Sequence, residues 1–325
     1  MTCQFLAALG AMALVATLQA QSPKTRTMPR TPDGHPDLQG TWTNATITPL
    51  ERSPAMGGKA TLSDAEAVTL EKVAAQELAK VDGASEAPLL AAAGSNGTGG
   101  YNVLFIDRGS EFARVDGVKR TSLVVDPSDG RVPALTAEAR RRNAANPGNR
   151  FDSVKDRPPA ERCLLGFGST SGPPMLPVLY NNNYQIVQTP GAVMILVEMV
   201  HDARIVRING THPGPEVRLW LGDSIGHWEG DTLVVDTTNF TNKTRFRGSG
   251  ENLHVIERFT RADANTILYK ATIDDPTTFT KQWTLEYPFV ATKDPIYEYA
   301  CHEGNYSLTD ILGGARKADS ETPPK

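Results

Sequence analysis

The sequence predicts a mainly β chain in which an N-terminal arm and two short helices precede an antiparallel meander that closes into a barrel. Three observations carry this. From Tyr184 onward, short runs dominated by β-branched and aromatic residues follow one another at regular spacing. Turn signals separate them: Pro190-Gly191, Asn209-Gly210, Glu229-Gly230, Ala264-Asn265 and Asp274-Asp275-Pro276. No helical pattern interrupts the series, which excludes alternating strand–helix units.

The elements follow in order. Phe5 to Leu18 is apolar and uncharged and ends on the small residue Ala20, so residues 1–20 read as a secretory signal peptide, although its start lacks Lys or Arg. Residues 21–160 read as an extended arm and a helical and loop region that packs on the barrel. Ser63 and Glu66 form a capping box ahead of an Ala/Leu/Glu/Lys-rich helix over 64–80. Val103–Ile106 and Ser122–Val125 are short β-like runs, and Asp126-Pro127-Ser128-Asp129-Gly130 is a turn. Thr136 caps a second helix through about Ala145, and its Arg140-Arg141-Arg142 run reads as a solvated face. Residues 161–316 carry the barrel, and 317–325 a disordered tail.

The barrel strands are read as Tyr184–Thr189, Ala192–Val200, Arg204–Ile208, Val217–Leu221, Thr232–Thr238, Leu253–Thr260, Thr266–Ile273, Lys281–Pro288 and Ile296–His302. Side-chain alternation puts Trp228, Leu233 and Val235 on one face of their hairpin, and His227, Val234, Asp236 and Thr238 on the other. In the next hairpin a loop at Ala264-Asn265 places His254, Ile256, Arg258, Tyr269, Ala271 and Ile273 together. Leu253, Val255, Glu257, Phe259 and Leu268 face the opposite way, and a slip of one residue would exchange these sets.

Composition bounds the function. The 325 residues are 39% hydrophobic and 22% charged with net charge −4, which excludes a disordered chain and gives no basic footprint for nucleic acid. After the N-terminal segment no stretch reaches the roughly 18 apolar residues of a membrane helix, so no integral membrane contact is expected. Beyond Cys3 only Cys163 and Cys301 remain, and in an oxidising compartment a single pair reads as a disulfide. Together these readings place the protein in the periplasm or outside the cell.

Chemistry-bearing residues are few. No Gly-x-Ser-x-Gly elbow, P-loop or dinucleotide fingerprint is present, so no cofactor is expected. The six histidines form no metal-ligand spacing, and no metal site is assigned. His254, Glu257, Arg258 and His302 are the candidate catalytic groups. His227, Trp228, Asp236, Tyr269, Glu286 and Tyr299 are the candidate ligand-binding groups. Two functions follow. A barrel with apolar walls and a few placed polar groups would bind a small, partly apolar organic ligand; an interior packed solid would exclude that. Alternatively, His302, His254 and Glu257 or Glu286 would serve a secreted hydrolase or lyase on plant-derived glycans or phenolics, provided that they share one reacting atom.

Four segments carry a resemblance. They are Pro36-Asp37-Leu38-Gln39-Gly40-Thr41-Trp42, Gly230-Asp231-Thr232-Leu233-Val234-Val235-Asp236-Thr237, Leu253-His254-Val255-Ile256-Glu257-Arg258-Phe259 and Tyr297-Glu298-Tyr299-Ala300-Cys301-His302-Glu303-Gly304-Asn305. Together the set resembles a large group of exported bacterial proteins of unknown function, abundant in soil bacteria such as the acidobacteria. The resemblance implies export and assigns no catalytic residue. Gly40-Thr41-Trp42 also resembles the Gly-x-Trp of lipocalins, which implies a lipocalin-like barrel.

Overall fold

The computed structural model describes residues 28–83, 107–145, 151–166, 172–244 and 246–321. Residues 1–20, read from the sequence as a signal peptide, and the run Val103–Ile106 lie outside these residues. The arm gives β1 (Gly40–Thr43). Next come β2 (Thr61–Leu62), helix α1 (Asp64–Gly83), β3 (Arg114–Val115), β4 (Val118–Arg120), β5 (Val124–Asp126) and helix α2 (Ala137–Ala145). The second half gives β6 (Asn183–Gln188), β7 (Ala192–Val197), β8 (Ala203–Ile208), β9 (Asp223–Glu229) and β10 (Thr232–Thr238). It ends with β11 (His254–Asp263), β12 (Thr266–Asp274), β13 (Trp283–Ala291) and helix α3 (Tyr306–Glu321).

Nine strands close into a barrel in the order β1-β6-β7-β8-β9-β10-β11-β12-β13, with β13 returning to β1. The arm is therefore part of the wall. Trp42 stands opposite Tyr184 on one side and Ala291 on the other, so four residues seal the two open edges. All pairings in the ring are antiparallel except β8–β9, whose parallel run requires the crossover 209–222. Outside the ring, β5 extends β13, and β2, β4 and β3 form a small sheet beside α1.

The arm also stoppers one mouth. The Leu38 amide donates to Gln188 Oε1 at 3.0 Å, and the Gln188 amide donates back to the Pro36 carbonyl at 3.3 Å. The Trp42 indole donates to the Leu38 carbonyl at 3.0 Å, and the Arg261 guanidinium lies 4.9 Å over the Trp42 ring. The opposite mouth is stoppered by the segment around Met175, which is fully buried. The Met175 amide donates to the Tyr269 hydroxyl at 2.9 Å, and its carbonyl accepts from the hydroxyl of Tyr287.

Local readings hold where local chemistry decides. The Ser63 amide donates to Glu66 Oε2 at 2.9 Å, closing the capping box, and Thr136 Oγ1 accepts from the Ala139 amide at 3.0 Å. Gly130 (φ +71°) sits where a Cβ would lie 2.5 Å from Ser122 Oγ, so the turn requires glycine. The Cys163–Cys301 disulfide is formed.

Four expectations are corrected. Val217–Leu221 belongs to the crossover, and the ladder strand is β9, directly after it. Ile296–His302 is irregular, because β13 already returns to β1 and completes the ring without it. The chain end read as a tail is helical through Glu321. Leu308, Ile311, Leu312 and Ala315 make a half-buried stripe there, broken to the eye by Gly313-Gly314. Finally, a bulge between Arg261 and Asp263 moves the β11–β12 register by one residue. Phe259 pairs with Tyr269 and Glu257 with Ala271, so Tyr269, Ala271 and Ile273 face inward with Glu257, not with His254 and Arg258.

Candidate functional site

The barrel interior is full. Trp42, Tyr184, Phe259, Tyr269, Tyr287 and Phe289 are each at most 1% exposed, and all but Trp42 pack ring against ring. Among them lies a buried ion pair. Arg204 donates to both oxygens of Glu257, at 3.1 and 2.6 Å, and Tyr269 donates to Glu257 Oε1 at 2.8 Å. Burial disfavours the Arg204 cation, but the adjoining Glu257 carboxylate outweighs it and raises the guanidinium pKa. Burial also raises Tyr269 and Tyr287, so both phenols stay protonated. Both Glu257 oxygens are thus occupied, by Arg204 and by the Tyr269 hydroxyl. Neither is open to a ligand.

The other expected residues are scattered over the outer wall and the ends of the barrel. Arg258 pairs with Glu229 at 2.6 Å, and His227 reaches the same carboxylate at 3.2 Å. Trp228, at the arm-stoppered mouth, stacks on His35 with 4.5 Å between centroids. Glu286 pairs with Lys270 at 3.1 Å. Tyr299 stacks on Tyr180, and His302 is exposed beyond the last strand. His254, Glu257, Arg258 and His302 therefore share no reacting atom. The cause is alternation: Glu257 points in while its neighbours Ile256 and Arg258 point out.

Two expected residues do meet. Asp236 Oδ1 takes His254 Nε2 at 3.0 Å and His212 Nε2 at 3.2 Å. His212 Nδ1 continues to Asp223 Oδ2 at 2.7 Å, and Arg207 grips both Asp223 oxygens at 2.8 and 3.0 Å. The Asp236 hydrogen bond raises His254, and the same bond lowers Asp236 against partial burial. Burial works to raise Asp223, but Arg207 and His212 together hold it below the usual range. The array spans β8 to β11 and pins the crossover through His212. No group of three or more His, Cys, Asp or Glu among the described residues is placed to hold a metal ion.

Space for a ligand lies instead at the Met175 mouth. A cleft of about 1170 Å³ opens between the 246–252 loop, the C-terminal end of α2 and the segment 155–166. Trp220, Phe246, Leu165 and Leu176 give it apolar walls, and Arg142, Lys155, Arg157, Arg162, Lys243 and Arg247 line it with charge. The walls are fixed. Arg142 ties α2 to the loop, donating to the Gly248 carbonyl at 3.2 Å and to Thr278 Oγ1 at 2.8 Å. Arg157 is clamped by Glu161 at 2.7 Å, and Cys163 is tied to Cys301. A second recess of about 560 Å³, beside Thr48, Leu70 and Phe112, shares Leu176 with the first.

None of the expected site residues lines the large cleft. Trp220 was hidden inside a run read as a strand. Arg142 was hidden in a basic run read as solvated, and its hydrogen bonds to the 246–252 loop bind elements about 100 residues apart, for which the sequence holds no local signal. Comparison of the chain with protein-family models, with curated proteins and with solved structures finds no match.

Proposed function

We propose that this is an exported barrel protein that binds a small, partly apolar organic ligand, and that the ligand sits in the Met175-mouth cleft instead of the barrel lumen. The carrying observation is the cleft itself: its size suits a small molecule, its walls mix aromatic and charged side chains, and its position is held by α2 and a disulfide. The aromatic side chains and the ion pair buried in the interior direct the reading outward, to the cleft at its mouth. The disulfide supports the export half of the reading, as such bonds persist in oxidising compartments.

The test is a fluorescence titration of the full chain with 1-anilinonaphthalene-8-sulfonate, an aromatic probe. Saturable one-to-one binding is expected. Trp220→Ala should weaken it about tenfold, in line with the loss of a buried aromatic anchor. Ile205→Ser, on the outer wall and 51% exposed, should leave it unchanged. Absence of saturation, or no response to Trp220→Ala, overturns the proposal.

One observation favours the second reading, a secreted hydrolase or lyase using acid–base chemistry: the Asp236 carboxylate orients two imidazoles at once. In that reading His254, with its second ring nitrogen unengaged by Asp236, moves the proton. A screen of plant glycans and phenolic esters would then find turnover that His254→Gln abolishes and that Arg258→Gln does not. Turnover that survives His254→Gln would remove this reading.

A further inference from the structure

We infer that the cleft selects an organic anion: an oxyanion held by the basic rim, on an apolar body that rests against Trp220. This rests on the cleft being the binding site. Three observations carry it. First, six basic side chains line the cleft against two acidic ones, Asp156 and Glu251, in a chain whose net charge is −4. The excess is local and opposite to the whole. Lys155, Arg162 and Lys243 have no ion-pair partner among the described residues, so their charges remain available to a ligand. Second, Ser249 lines the same cleft, is 0% exposed, and its hydroxyl has no hydrogen-bond partner among the described residues. A buried hydroxyl without a partner is uncommon, and a ligand oxygen would satisfy it. Third, the loop that carries it is built against local preference. Arg247 has φ +48° and Gly248 φ +95°. A Cβ on Gly248 would lie 3.1 Å from the Asn143 amide nitrogen. Such backbone is retained where surrounding structure holds it, and here α2 does so through Arg142 and Asn143.

The chemistry narrows the ligand. Guanidinium and ammonium groups on one rim favour a carboxylate, sulfonate or phosphate, with arginine matching two oxygens of such a group. Phe246, Leu165 and Trp220 suit a ring or a short aliphatic chain. A neutral apolar molecule would fill the walls and leave the rim and Ser249 unanswered.

A matched pair of probes tests this. 1-Anilinonaphthalene-8-sulfonate and N-phenyl-1-naphthylamine have nearly the same aromatic body, and only the first carries an anion. The sulfonate should bind about tenfold or more tighter than the amine, and the preference should shrink as salt rises toward about 0.5 M. Lys243→Gln and Arg162→Gln should each weaken the sulfonate about threefold or more, with Ser249→Ala acting in the same direction. The amine should respond to none of the three. Circular dichroism of each variant confirms that the barrel is intact. Equal binding of the two probes, with saturation of both and no effect of the charge variants, overturns the anion inference and leaves the cleft as a binding site. No saturable binding of either probe overturns both.

Discussion

Glu257 and Arg258 are neighbours in the chain, and each makes an ion pair of 2.6 Å. Glu257 and its partner Arg204 are at most 2% exposed, while Arg258 and Glu229 are more than a third exposed. The two pairs share chemistry and differ in surroundings. Outside, water competes for both charges and the pair decides little. Inside, both charges have already lost their water, and neither can be left alone. The barrel therefore spends its most specific polar contacts on holding its own interior, and its uncommitted charges lie at the mouth, where a ligand can reach them.

The largest expected effect breaks the inner pair. Arg204→Met leaves a buried carboxylate and should destabilise the fold by about 3–5 kcal/mol in urea unfolding. Adding Glu257→Leu should restore most of that loss, because the remaining penalty belonged to the orphaned charge. A double variant no more stable than the single one would contradict the assignment. Next is the disulfide. Cys163→Ser with Cys301→Ser opens a link across 138 residues and should lower stability by about 2–5 kcal/mol in the same assay. Amide exchange in 155–166, one wall of the cleft, should quicken more than in β11, where the ladder is untouched.

How legible this comparison was depends on where the deciding interaction lies. The capping box at Ser63 and Glu66 and the shared face of Trp228 and Leu233 follow from residues a few positions apart, and both are present. The inward turn of Tyr269 was not legible, because one extra residue between Arg261 and Asp263 reverses every side chain after it. Closure by Gly40–Thr43 pairs Thr43 with Asn183 and Gly40 with Ile186, far apart in the chain, and leaves only Trp42 as a hint. The cleft was least legible. Its charges come from three separate segments, and a basic residue on a helix reads the same whether it meets solvent or a neighbouring loop.

A smaller effect comes from the outer array, and its sign follows from the shifts. His254 is raised, so its share of stability is fully present below its ordinary value of 6.5 and is lost as pH rises through the higher folded value. Asp236 and Asp223 are lowered, so their share is present above their ordinary value of 3.8 and is lost as pH falls through the lower folded values. The array is therefore strongest between those limits. Asp236→Asn should cost about 1 kcal/mol at pH 5.5, less at pH 8.5, and should flatten the alkaline limb of a stability–pH profile. A limb that keeps its slope would mean that another group governs it. The smallest effect is outside: Arg258→Ala should leave the urea midpoint unchanged within error, and a clear drop would show that the outer pair acts as the inner one does.

The four tryptophans allow the most direct test of where binding occurs. Trp220 lines the cleft, Trp283 lies behind it against Phe246, Trp42 seals the barrel wall and Trp228 stands at the opposite mouth. Their indole N–H signals can be followed by nuclear magnetic resonance while 1-anilinonaphthalene-8-sulfonate is added. The account predicts that Trp220 shifts most, Trp283 less, and Trp42 and Trp228 stay in place. A leading shift at Trp42, or none at Trp220, would contradict it.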